Sequence, residues 1–368
     1  MVSNHRLLSK HNFDPHMLGS IVRLAPGRYS LNEPTASRTL YGHGTKFEKS
    51  SFYFAFGSPF PEGSDLFNER SVAIHSGKRR RVAQLYSMSA LLSYEQYVDR
   101  QNAVLCEKLR SISTSRSQIH VYKLMQAYAF DVIGEITVGE SFGFMQKDYD
   151  DLGILHAIHD GSVYGARVGL LGNLHFYAGL LVRRLKIAIP FTAVLAFINK
   201  NIELRRTGQQ TSDRADFLSK LLQLKQAEKI EDVDVITTLG ANIAAGSDTT
   251  AISLSSIIRY LQLNPECLTR LRAEMDDRLV QSKLSNPVKY QEAIEMPYLQ
   301  AVIKEAIRLH PATGQPLSRV VPAGGATVAG RYFPAGVNSL SSTNSFAKRA
   351  DTRPVCCRYQ SMGTASQP

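Results

Sequence analysis

Cysteine is scarce in this chain of 368 residues: there are four, Cys106, Cys267, Cys356 and Cys357. They form no C-x-x-C and no paired spacing, which argues against a zinc site or a disulfide framework and fits a reducing compartment. No uninterrupted apolar run is long enough to cross a bilayer. The nearest, residues 163–197, is interrupted by Arg167, His175, Arg183, Arg184 and Lys186. The stretch MVSNHRLLSKHNFDPHMLGS at the start has no apolar core, so neither a secretory signal nor a membrane anchor is expected there. Peripheral membrane contact through residues 163–197 stays open. No G-x-S-x-G, no Walker A loop and no dinucleotide-binding glycine fingerprint occurs, so the common hydrolase, nucleotidase and dehydrogenase chemistries have no motif here. Internal repeats and low-complexity linkers are missing too, and there is no tryptophan.

Acidic residues are outnumbered. Lys plus Arg total 43 against 32 Asp plus Glu, a net charge of +11. The excess is spread along the chain except for the run Lys78-Arg79-Arg80-Arg81. A nucleic-acid binder concentrates its basic residues and often interleaves stacking aromatics; neither pattern is seen, so nucleic acid is not an expected partner. The surplus reads either as a solvated basic surface or as attraction to anionic headgroups, an acidic protein or an anionic cofactor.

Periodicity divides the chain simply. Residues 21–34 read as two short strands around a Pro-Gly turn, then a helix opened by Pro34. Helices are expected over 72–86, 94–111, 121–138, 150–158, 192–206, 214–223, 232–263, 265–279 and 297–310. Short strands return in 325–337. The expectation is one mostly α domain over residues 1–336, with a small β portion drawn from both ends. Residues 337–368 are polar and aperiodic, and a disordered tail is expected there.

Three stretches carry candidate chemistry. In the helix expected over 232–263, Leu239, Ile243, Leu254, Ile257 and Leu261 share one stripe with Gly246 and Thr250. The centre of this apolar helix therefore reads AAGSDTT. Glycine inside a helix costs about 1 kcal/mol relative to alanine, and a buried Asp or Thr needs a partner. One reading is a helix N-cap at Ser247 or Asp248 after Gly246. The other is a site: Gly246 lets a ligand approach the backbone, and Asp248 with Thr249 offers a proton-delivering carboxylate and hydroxyl. In a later, largely apolar helix, Glu305 and Arg308 lie on one face as an ion pair, either exposed or buried. His75 and Arg79 share a face of the 72–86 helix, as a solvated patch or as cations for the carboxylates of a cofactor. His156 and His159 could pair on a metal, but no third ligand is evident, and no metal site is expected.

In their order, A-G-x-D-T-T in a long helix and E-x-x-R in a later one followed by LHPATGQPLSRVVPAGG resemble the cytochrome P450 family. The similarity runs from about Gly19 to Gly336. Through AFDVIGEITVGESFGF and AAGSDTTAISLS it is most similar to fungal enzymes of natural-product and xenobiotic oxidation. The resemblance implies a P450-like, mostly α fold with a small β portion, a haem cofactor, an apolar small-molecule substrate, and electrons from an NADPH-cytochrome P450 reductase. It implies that Asp248 and Thr249 deliver protons during dioxygen cleavage. Ala245 and Gly246 would leave room above the haem. Glu305 and Arg308 would brace the core, and His75, Arg79 and Arg319 would contact haem propionates. The family's usual tryptophan is replaced by His75. Phe56 and residues 163–197 would help wall the substrate cavity.

One family feature is missing. The haem cysteine of these enzymes lies in a Phe-x-x-Gly-x-Arg-x-Cys-x-Gly loop and donates electron density through its thiolate. No such loop occurs here; TRPVCCRYQSMG has cysteines without the surrounding pattern. Residues 337–368 therefore read as the product of a frameshift, a retained intron or an alternative transcript, on a chain truncated relative to the family. The expected function is a haem-dependent monooxygenase, cytoplasmic or peripheral at the endoplasmic reticulum. The alternatives are a catalytically inactive truncated relative and a helical interaction protein without a cofactor.

Overall fold

The structure is a computed structural model. It describes residues 19–58, 63–147, 150, 152–171, 174–185, 192–210, 214–314 and 317–341. The chain separates into two units: Met1–Ser50 with Arg70–Val72 and Thr313–Thr352, and Ser51–Glu69 with Ala73–Ala312 and Arg353–Pro368.

The first unit holds the β structure. Strands β1 (Ile21–Ala25) and β2 (Arg28–Leu31) pair antiparallel across the Pro26-Gly27 turn, where Gly27 takes a positive φ of 65°. Helix α1 (Pro34–Tyr41) follows, with proline in its first turn. Strands β3 (Glu48–Lys49), β4 (Arg319–Val320) and β7 (Asn338–Ser341) complete a sheet of order β1-β2-β7-β4-β3. A separate hairpin joins β5 (Ala326–Val328) to β6 (Arg331–Phe333). Leu31, Leu40, Val321 and Phe333 form the core of this unit. Strand β7 lies within the stretch expected to be tail. Its polar sequence shows no alternation, but its backbone is held on both sides, parallel to β2 and antiparallel to β4. Tertiary pairing has overridden composition there. Residues 342–368, including Cys356 and Cys357, lie outside the described residues.

The second unit is helical. Its elements are α2 (Val72–Val82, continued by a 3₁₀ turn Ala83–Tyr86), α3 (Met88–Ser93), α4 (Glu95–Ser115), α5 (Val121–Val138), α6 (Phe144–Lys147), α7 (Ile154–Val168) and α8 (Leu174–Leu185). They are followed by α9 (Thr192–Arg206), α10 (Phe217–Gln226), α11 (Asp232–Leu263), α12 (Pro265–Val280), α13 (Tyr290–Ile294) and α14 (Pro297–Leu309). Helix α11 packs along α5, and Phe130, Val138, Leu218, Leu239 and Ile243 meet in the main core. The start of α11 is fixed locally: Glu231 caps it, and the Asp234 carboxylate accepts from the Glu231 N–H in return. The end of α5 is fixed by Gly139 at φ 80°, where a side chain would run into the Asp216 carboxylate.

No helix was expected over Leu174–Leu185, which is helical in the structure. His175 is its one buried residue. The two ring nitrogens lie 3.0 Å from the Tyr164 hydroxyl and 3.1 Å from the Gly57 carbonyl oxygen. Burial lowers the His175 pKa below its ordinary value, against a smaller raising by the Gly57 contact. The unfolded chain therefore takes up this proton at higher pH than the folded one. The expected result is stability that is complete above the ordinary imidazole pKa and lost as pH falls through the lower folded value. Urea unfolding curves across that window, compared with His175→Gln, check it; an identical pH dependence in the variant would contradict it.

Candidate active site

The site is built on α11. The helix is continuous from Asp232 to Leu263, so neither Ser247 nor Asp248 caps a new one. Ser247 is fully buried, and its hydroxyl donates to the Ile243 carbonyl at 2.9 Å. The hydroxyl of Thr249 donates to the Ala245 carbonyl at 2.7 Å. These back-bonds satisfy two hydroxyls inside an apolar helix without breaking it.

Gly246 has a packing reason that sequence could not supply. A Cβ at this position would stand 2.8 Å from Cδ1 and 3.0 Å from Cγ1 of Ile133 on α5. Its missing side chain thus lets two long helices close on each other. Gly246 also borders a cavity of about 880 Å³. Ala245, Ala241, Asn242 and Thr238 of α11 line the same cavity, together with Ile133 and Ile136 of α5 and Phe217 of α10. Phe67, Val82, Tyr86, Met88, Leu91 and Val98 line it as well. The exposed wall surface is mostly apolar, but the lining also includes the charged residues Asp65, Lys78, Arg81, Glu95, Asp99, Asp234 and Lys289. Among the described residues the lining includes neither Phe56 nor any residue of 163–197. Phe56 instead packs on Phe52 and Phe67 and occupies the space beside Gly165.

Asp248 and Thr249 adjoin this wall but do not line it. The Asp248 carboxylate is half-buried and accepts from the Gln126 amide of α5 at 2.7 Å. Burial first, and the Asp248 charge second, raise the Tyr122 pKa above its ordinary value. Thr249 and Ala245, one turn apart, are both exposed. The two residues expected to act together therefore sit side by side on α11, with the carboxylate turned to α5.

Two of the pairings were not visible in sequence. The Tyr86 hydroxyl donates to Asn242 Oδ1 at 2.7 Å on the cavity wall, and burial pushes its pKa up to about 12. Asn242 lies one helical turn before Gly246, so its place on the same stripe was the available signal. Gln126 carried no such signal, being 122 positions from its partner.

Glu305 and Arg308 form the expected pair on α14. Arg308 Nε reaches Glu305 Oε2 at 2.6 Å and Nη2 reaches Oε1 at 2.5 Å, with the Glu305 side chain 9% exposed. The bidentate fork resolves the alternatives in favour of a largely buried pair. On α2, His75 is half-buried and Arg79 exposed. Arg319 lies in the first unit, where its guanidinium stacks 4.8 Å above the Tyr41 ring and donates to the Ser318 carbonyl at 3.2 Å. His156 and His159 are both exposed, and no cluster of three metal-ligating side chains occurs among the described residues.

Of the residues expected at a haem, Ala245 and Gly246 line this cavity, while His75, Arg79, Asp248, Thr249 and Arg319 are not among its lining residues. A small-residue wall, Ala245-Gly246, faces a mostly apolar cavity, and a hydroxyl and a carboxylate follow in the next turn. The iron-holding side does not appear among the described residues: Cys106 is exposed on α4, Cys267 is buried on α12, and neither lines the cavity.

Comparisons with known proteins identify the family and the fold. The family model described as Cytochrome P450 matches residues 15–350. A pisatin demethylase of Fusarium vanettenii is 40% identical over 326 residues, covering 86% of this chain and 62% of that protein. A cytochrome P450 monooxygenase of Aspergillus terreus is 33% identical over 336 residues, 86% of this chain and 67% of its own. A crystal structure of a cytochrome P450 superposes with a TM-score of 0.71 at 16% identity, over 87% of this chain and 69% of that one, which shows a shared fold. The chain thus spans 62% and 63% of the first two curated relatives, both pisatin demethylases. Motif order, helical architecture and these matches lead to one conclusion: the chain belongs to the cytochrome P450 family, alongside fungal monooxygenases.

Proposed function

We propose that these residues form the oxygen-side part of a haem-dependent monooxygenase that oxidises an apolar small molecule in fungal secondary metabolism or xenobiotic oxidation. The carrying observation is the mostly apolar cavity that opens on Ala245 and Gly246. Haem, when bound, supplies the dioxygen chemistry. In this reading Ala245 and Gly246 give it and the substrate room, and the cavity walls exclude water from the reacting region. Thr249 and Asp248 hold and pass protons; the carboxylate would do so after leaving Gln126. His75 and Arg79 supply cationic donors for propionates, and the family resemblance gives Arg319 the same role. Glu305 and Arg308 brace the helix that carries them. A demethylation, the activity two relatives carry in their names, is a reaction of this class. Electrons come from an NADPH-cytochrome P450 reductase, and the protein works in the cytoplasm or peripherally at the endoplasmic reticulum. Among the described residues no helix is long and apolar enough to cross a membrane.

Haem titration of the purified protein tests this, followed by quenching of tyrosine fluorescence, since the chain has 16 Tyr and no Trp. Saturable uptake is expected. Arg79→Ala and Arg319→Ala should each release haem faster; unchanged release in both would remove the propionate role, and no saturable uptake would remove the haem reading for this polypeptide. A second reading rests on the missing cysteine loop: a catalytically inactive relative that keeps the fold and this cavity. The third, a helical interaction protein without a cofactor, has no observation in its favour once family membership is shown.

A further inference from the structure

One part of the cavity wall is fastened differently from the rest. Residues 281–296 connect α12 to α14 and carry the short helix α13. Val288, Lys289, Tyr290 and Ala293 of this connection line the cavity, together with Glu95 and Asp99 of α4. Elsewhere the lining is continuous with the main core, through Val82, Tyr94 and Phe217. By contrast, none of residues 281–295 belongs to a hydrophobic cluster among the described residues. Val288, Tyr290 and Ile294 are each exposed.

Two polar contacts tie the connection to α4. The Lys289 ammonium pairs with the Asp99 carboxylate, and the Tyr290 N–H donates to Glu95 Oε1 at 2.6 Å. Glu95 and Asp99 stand one turn apart, so both contacts fall on one face of α4. The connection also has bonds of its own. Glu292 accepts from the N–H groups of Ser285 and Lys289 at 3.0 and 2.9 Å, and from the Ser285 hydroxyl at 2.9 Å. At its other end, Arg278 of α12 pairs with Glu295 at 3.2 Å, and Gln300 of α14 donates to the Ala293 carbonyl at 3.1 Å. Releasing α4 therefore costs two polar contacts and leaves the internal bonds intact. The Lys289 side chain is 44% exposed. An ion pair so exposed holds weakly and is screened by salt. Segments with few buried apolar contacts are the ones that open locally.

We propose that residues 281–296 form a side door to the cavity, latched to α4 by Lys289–Asp99 and Tyr290–Glu95 and opened for ligand entry. This goes beyond the proposed function, since it concerns access to the cavity and not the chemistry inside it. Its test contains no haem or oxidation readout, so either reading can fail alone.

The experiment uses the 368-residue protein with Ala241→Cys on α11, a cavity-lining position, as reporter. The rate of its labelling by N-ethylmaleimide is followed by mass spectrometry of the peptide, which separates it from the native cysteines. Labelling is expected to quicken with added salt. Lys289→Met should quicken it about twofold to fivefold at low salt and flatten its salt dependence. Lys289→Arg keeps the cation and should label like the reporter protein alone. Thermal unfolding is measured alongside, and the exposed Lys289 site should leave it unchanged. Three results overturn the proposal: equal rates with and without Lys289→Met at every salt concentration, Lys289→Arg labelling as fast as Lys289→Met, or no labelling of the reporter under any condition.

Discussion

Asp216→Ala is expected to lower the unfolding free energy by about 3–5 kcal/mol. The Asp216 side chain is fully buried and the Arg205 side chain 4% exposed, with Arg205 Nη2 2.9 Å from Asp216 Oδ2. The same carboxylate caps α10, accepting the Ser219 N–H at 2.8 Å. Arg205 also donates to the Val138 carbonyl at the end of α5, to Gln210 and to the Ser219 hydroxyl. Removing the carboxylate leaves a buried guanidinium without its counter-charge and an N–H without its acceptor. Both penalties are desolvation costs that no water repays. Asp216→Asn keeps the cap and loses the charge, so it should fall between parent and alanine variant. Urea unfolding measures all three; a loss below about 1 kcal/mol in the alanine variant would mean that the pair is solvated.

Glu305→Ala comes second, with an expected cost of about 2–4 kcal/mol. Here the arginine side chain is 25% exposed, so part of its charge finds water after the carboxylate is gone. A double-mutant cycle with Arg308→Ala should give a coupling of at least about 1 kcal/mol. Additivity of the two single losses would show that the bidentate geometry contributes nothing. The pair couples two positions within one helix, so its loss should reduce the stability of α14 without changing the secondary structure of α11.

The sequence made the helical frame legible where local signals agreed. Helices 121–138, 192–206 and 232–263 were expected with the bounds they have. Glu231 and Asp234 cap one of them and Gly139 ends another, and such signals are written within a turn of the residues they affect. The A-G-x-D-T-T and E-x-x-R motifs were legible for the same reason. What could not be read depends on partners distant in sequence. Gly246 looked like an opening for a ligand, while its packing role depends on Ile133. Asp248 looked like half of a pair with Thr249, while its hydrogen bond goes to Gln126. Strand β7 has the composition of a tail, and its backbone pairs with β2 and β4. Phe56 was expected at the cavity and instead fills the space that Gly165 leaves beside it.

The central proposal is that residues 245–249 serve the oxygen side of a cytochrome P450 site and that the 368 residues contain no cysteine loop of the family's pattern to hold the iron. The most direct measurement is the absorption spectrum of the reduced, carbon-monoxide-bound protein after haem loading. The account predicts no thiolate-ligated signature from the 368-residue chain. A thiolate signature that disappears in Cys356→Ser or Cys357→Ser would contradict it, and would place the iron ligand in TRPVCCRYQSMG after all.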